Sequence, residues 1–104
     1  MTKITFYKKN GIIIGFEVSG HTGKQEFGKD LLCCQISTIA QLAIVGFEKA
    51  NANFIVSDGY VKIKLEDKMA ALKEFQHLFI TCLNSFKSVI IGEEKFAKLE
   101  VKNV

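Results

Sequence analysis

Runs rich in β-forming residues at positions 2–9 and 12–19 flank Asn10-Gly11, a dipeptide that marks a two-residue hairpin of type I′. The first two elements are therefore expected to be antiparallel strands. In the second, Ile12, Ile14, Phe16 and Val18 alternate with Ile13, Gly15 and Glu17, which assigns the former set to the core and the latter to the opposite face. From Asp30 to about Ala50 the period becomes helical, with Leu32, Ile36, Ile39, Ala43 and Phe47 as one buried stripe and Asp30 as the N-cap. Leu31, Leu42, Ile44 and Val45 make the other faces apolar as well, so the helix is expected to be covered on a second side, as a dimer interface would do. Strands over 54–57 and 60–65 bracket Asp58-Gly59, a second hairpin signal of the same type. A long helix is expected from Asp67 to Ile91, burying Leu72, Phe75, Phe79, Cys82, Phe86 and Ile90 and stopping at Gly92. Alternation over 95–102 gives a fifth strand.

The order ββαββαβ predicts an α/β fold of the α+β type, a two-layer sandwich with a largely antiparallel sheet and two helices. The pattern leaves open whether the helices share one face. With 104 residues, 48% hydrophobic and 24% charged, residues 1–104 fit a single domain with one core. A net charge of +3 is mild and spread along the chain, so nucleic-acid binding is neither required nor excluded. No stretch reads as a signal peptide or a bilayer span, which makes the cytoplasm the expected location. Three cysteines, two of them adjacent, are a poor disulfide framework and suit free thiols in a reducing compartment.

Candidate chemistry concentrates between Ser19 and Gln41. His21 lies in a loop carrying Gly20, Gly23 and Gly28, and Cys33 falls in the first helical turn, where unpaired N–H groups and the helix dipole favour an anion such as a thiolate. Helical geometry groups Cys33 with Ser37, Ala40 and Gln41, and Cys34 with Leu31, Thr38, Leu42 and Val45. On this basis Cys33 is the accessible thiol and Cys34 a small core residue. By residue type alone, cysteines at a helix start are more often packed than reactive. His21, Cys33 and Cys34 lack paired zinc-ligand spacing, so no metal and no cofactor is expected. His77 suits a solvated helix face and Cys82 the core.

Gly20-His21, then Gly28, Asp30, Cys33 and Ser37 in this order and spacing, between a hairpin and a helix, resemble the ribosomal-processing cysteine protease family, often called Prp. The resemblance covers nearly the whole chain. It implies a homodimeric bacterial cysteine endopeptidase that removes the N-terminal extension of large-subunit ribosomal protein number twenty-seven, cutting after a pair of aromatic residues. His21 then matches the base and Cys33 the nucleophile of a dyad, with Gly20, Gly28, Asp30 and Ser37 in support. The first-turn N–H groups would serve as oxyanion donors, and the loop from Gly20 to Gly28 would order over a bound peptide. Thr22 and Cys34 stand where the family usually has alanine. The competing readings are a non-catalytic dimeric, ribosome-associated module that binds peptide or RNA, and a thiol redox protein, for which an adjacent Cys34 is a poor resolving partner.

Overall fold

The computed structural model describes residues 1–26 and 30–104. Strands β1 (Thr2–Lys9) and β2 (Ile12–Ser19) form the first hairpin, and both Asn10 and Gly11 have positive φ, at 52° and 80°, as the mirror-type turn requires. Helix α1 spans Leu31–Gly46 and passes into a 3-10 turn at Glu48–Ala50. Strands β3 (Asn53–Ser57) and β4 (Tyr60–Lys64) follow, then α2 (Asp67–Ala70), α3 (Lys73–Val89) and β5 (Ala97–Asn103). The sheet runs β3-β4-β2-β1-β5, antiparallel except where β5 lies parallel to β1. This is a five-stranded mixed sheet with helices, of the α+β type expected.

The register explains why one face attracts every helix. Phe6 pairs with Phe16, Ile4 with Val18, and Phe16 with Ile63, so consecutive strands present their apolar positions to the same side. Phe6 and Phe16 stack with centroids 4.8 Å apart, and Phe86 of α3 meets both edge-on, at 6.0 and 5.5 Å. The two long helices are joined through Phe47, whose ring lies 4.3 Å from that of Phe79. All of these rings are buried. The opposite face keeps Lys3, Thr5, Tyr7, Glu17, Tyr60 and Lys62 and carries no helix among the described residues.

Several boundaries differ from the sequence pattern for local reasons. A bulge between Tyr7 and Lys8 shifts the register, so Ile13 pairs with Lys8 and is buried, although alternation alone puts it on the outer face. In the second hairpin only Gly59 has positive φ, at 70°, so that turn is not of the mirror type. The long second helix is broken: Leu72 has extended backbone, φ −64° and ψ 138°, and is 43% exposed instead of buried. The Gln76 amide occupies the break, donating to the carbonyls of Ala70 and Ile13 and accepting from the Ile13 N–H at 3.1 Å. It thus gives a partner to the Ala70 carbonyl, which the break deprives of its helical N–H, and to both backbone groups of Ile13 in β2.

Phe86→Ala removes the ring that closes the aromatic cluster and should cost about 3–5 kcal/mol. Urea unfolding should show a lower midpoint at an unchanged slope.

Candidate active site

Asp30 fixes the start of α1 and the loop before it together. As N-cap it has extended backbone, and its Oδ1 accepts from the Cys33 N–H at 3.0 Å. Its Oδ2 accepts from the N–H groups of Lys24 and Gln25, at 3.0 and 3.2 Å, and from the Thr22 hydroxyl. One carboxylate therefore gathers four donors. The Thr22 hydroxyl and then these N–H groups hold its pKa down at about 2, against 3.8 for an ordinary aspartate. Thr22 is buried, and its side chain fits the loop to the helix cap.

His21 is held at the opposite edge of the same site. Gly20 donates to the Gly59 carbonyl at 2.8 Å and accepts from the Thr2 hydroxyl at 3.2 Å, so the end of β2 is tied to the β3–β4 turn. Gly20 has φ of 85°, and a Cβ there would run into the Met1 carbonyl. The imidazole lies against Gly59, where a Cβ would stand only 3.0 Å from Nε2, and Nε2 is 3.8 Å from Asp58 Oδ1. Asp58 is thus an acid beside His21 that the sequence offered only as a turn residue. Its spacing from His21 gave no signal, because the two meet through strand pairing.

Cys33, half-buried, and Ser37 stand one turn apart on α1. Together with His21 they line two adjoining cavities. One, of about 320 Å³, runs between α1 and the β3–β4 hairpin past Ile36, Gln41 and Val56. The other, of about 530 Å³, lies toward the loop and includes Gly23, Gln25, Asp30 and Cys34. His21, Cys33 and Ser37 are the residues common to the two, joined at the boundary by no other described residue. Gly28 lies outside the described residues.

The helical grouping of the two cysteines holds, but the burial assigned to Cys34 does not. Leu32, Ile36, Ala40 and Ala43 turn to the core, which rotates Cys34 outward with Leu31, Leu42 and Val45; Cys34 is exposed. The apolar character of that face misled the assignment, because the face is bare within one chain. Cys82 is buried as expected, and burial pushes its thiol up to about 11. The Cys33 N–H, expected to be available to an oxyanion, is already engaged by Asp30. Among the described residues no group of three or more His, Cys, Asp or Glu side chains is arranged to hold a metal. Among the described residues no helix is long and apolar enough to cross a membrane.

Residues 1–98 match the family described as cysteine protease Prp. Among solved structures, the fold is similar to that of the S. aureus ribosomal processing protease Prp in complex with a covalently linked product peptide (TM-score 0.88, 18% identity, 98% of this chain and 100% of that chain). It is similar to the same S. aureus protease with a substrate peptide (TM-score 0.82, 18% identity, over the same shares of the two chains). The Streptococcus mutans protein SMU.848 aligns over 100% of this chain and 99% of its own (TM-score 0.85, 22% identity). No curated protein matches the sequence.

Because the Asp30 pKa is lowered on folding, its contribution to stability is present above pH 3.8 and is lost as the pH falls through about 2. Acid unfolding of the wild type and of Asp30→Asn should therefore differ above pH 4 and converge toward pH 2. Hydrogen exchange should show Lys24 and Gln25 deprotected in the variant.

Proposed function

The chain belongs to the Prp family of cysteine proteases, and on that premise we propose that it is the endopeptidase that trims the N-terminal extension of large-subunit ribosomal protein number twenty-seven, cutting after aromatic residues. In this reading Cys33 is the nucleophile and His21 its base. The observation that supports it most is the meeting of His21, Cys33 and Ser37 where two cavities adjoin. A peptide crossing that boundary has room for residues on both sides of the scissile bond. The cavity beside Ile36, Ile44 and Val56 is the more suited to aromatic side chains before the cut.

The mechanism proceeds from these parts. His21 takes the Cys33 proton, and the thiolate attacks the scissile carbonyl to form a tetrahedral intermediate. Collapse breaks the C–N bond, with His21 returning the proton to the leaving amine and a thioester left on Cys33. Water, deprotonated by His21, then attacks the thioester; the C–S bond breaks, the acid product leaves and the thiol is restored. Asp30 acts as a positioning residue by fixing the Cys33 backbone to the loop. With the Cys33 N–H held by Asp30, the oxyanion draws on the positive end of the α1 dipole.

The proposed assembly is a homodimer in the bacterial cytoplasm. The support for it is the bare apolar face of α1, where Leu31, Leu42 and Val45 are 77%, 59% and 61% exposed. The proposed single protease domain comprises residues 1–104.

Incubating the protein with the extended ribosomal protein and measuring product masses tests the reading. Cys33→Ala should abolish trimming and His21→Ala should reduce it at least a hundredfold, whereas Cys34→Ala should leave it intact. An unshortened substrate with the wild-type protein, or full activity in Cys33→Ala, would overturn the assignment.

A further inference from the structure

The outer face of the sheet, remote from the thiol, has the composition of a binding surface. Following the strand register, Lys3, Lys62, Lys64, Lys98 and Lys102 point to this side with Glu17 and Glu100. Five lysines against two glutamates leave an excess of three positive charges. The chain has fourteen lysines and arginines and eleven acids in all, so the nine and nine remaining elsewhere cancel. The whole net charge of +3 therefore resides on one sheet face.

The same face carries both tyrosines of the chain. Tyr7 and Tyr60 each donate to Glu17, at 2.6 Å to its Oε1 and Oε2 respectively. The shared carboxylate fixes the two phenol groups on neighbouring strands, and these hydrogen bonds hold the Glu17 pKa below and the tyrosine pKa values above their ordinary range. Lys62 Nζ lies 5.9 Å from the centre of the Tyr7 ring. Beside that ring the surface dips into a hollow of about 240 Å³ over Gly15, bordered by Lys62, Lys64 and Val104. Gly15 has no side chain to fill it, and a Cβ there would strike the Ile63 carbonyl.

We propose that this face binds single-stranded RNA, with a base seated in the hollow against Tyr7 and the flanking phosphates on Lys62, Lys64 and Lys102. The lysines supply the sequence-independent attraction to phosphate, and a ring held in place is a stacking platform for a base. An acidic peptide would use the charge but not the ring and hollow. Glu100, 37% exposed and within 4.0 Å of both Lys3 and Lys102, repels phosphate but accepts from a ribose 2′-hydroxyl, which favours RNA over DNA. The inference does not depend on the protease reading, since the face lies across the sheet from Cys33.

Because the chain has two tyrosines and no tryptophan, its tyrosine emission comes from Tyr7 beside the hollow and from Tyr60, which also borders the cavity of His21 and Cys33, so the Tyr7 variant assigns the signal. Titrating a ten-residue oligouridine into the protein in about 50 mM salt should quench that emission saturably, in the micromolar range expected of non-specific contacts. A labelled oligomer should show a matching rise in anisotropy. With about three phosphates engaged, log K should fall with log salt at a slope of about −2. The double variant Lys64→Glu/Lys102→Glu should weaken RNA at least tenfold, and Tyr7→Leu about fivefold or more, both with peptide cleavage unchanged. No saturable response from the wild-type protein would overturn the proposal. So would equal binding of the matching DNA or of polyglutamate, or RNA binding unaffected by the charge reversal.

Discussion

A chain of 104 residues that builds five strands has enough helix to cover only one side of its sheet, and the arrangement of this molecule follows from that shortage. The register places Phe6, Phe16 and Ile63 on a common side, and α1 and α3 both settle there, locked by Phe47, Phe79 and Phe86. Three regions are left to the solvent: the outer sheet face, the outward side of α1 and the edge strand β3. They are treated in two ways. The outer face is charged and hydrogen-bonded, whereas α1 and β3 keep exposed apolar residues such as Leu42, Val45, Ile55 and Val56. Lysines and tied tyrosines suit a surface that stays wet; exposed aliphatic side chains suit one that is covered by another protein surface.

The site is built on the seam between the two helix-face neighbours, α1 and the β3–β4 hairpin. Its two parts are held by different anchors. Asp30 binds the helix start to the loop, and the contact of Gly20 with Gly59 binds the end of β2 to the hairpin turn. His21 lies between the two anchors, with Gly20 tied to the hairpin turn and Thr22 tied through Asp30 to the Cys33 backbone, so its relation to Cys33 is set from both sides.

Much of the fold was legible because alternation and helical spacing are local. Asn10-Gly11 specified its turn, and Asp30 specified the helix start, through preferences that act within four residues. What escaped the pattern was set at long range. Ile13 is inward because of a bulge that only the partner strand defines, and the break before α3 is held by Gln76 reaching Ile13, sixty-three residues away in sequence. Within the site, the spacing of His21, Asp30, Cys33 and Ser37 was readable, since three of the four share one helix start. Asp58 was not, since only the pairing of β2 with β4 brings it to His21. The fate of Cys34 went wrong for a related reason: apolar neighbours on a helix do not say whether the cover belongs to the same chain.

The parallel pairing of β1 with β5 carries a consequence for the order of events at birth. β1 emerges from the ribosome before the other described strands, yet one of its two neighbours, β5, and the Phe96 carbonyl that receives the Thr2 N–H emerge after all of them. Thr2 in turn supports Gly20, next to His21. A nascent chain can close its hairpins early, but the strand beneath the site gains its second neighbour only when synthesis has passed Asn103. The topology thus delays the finished site until translation of the strand-forming sequence is over.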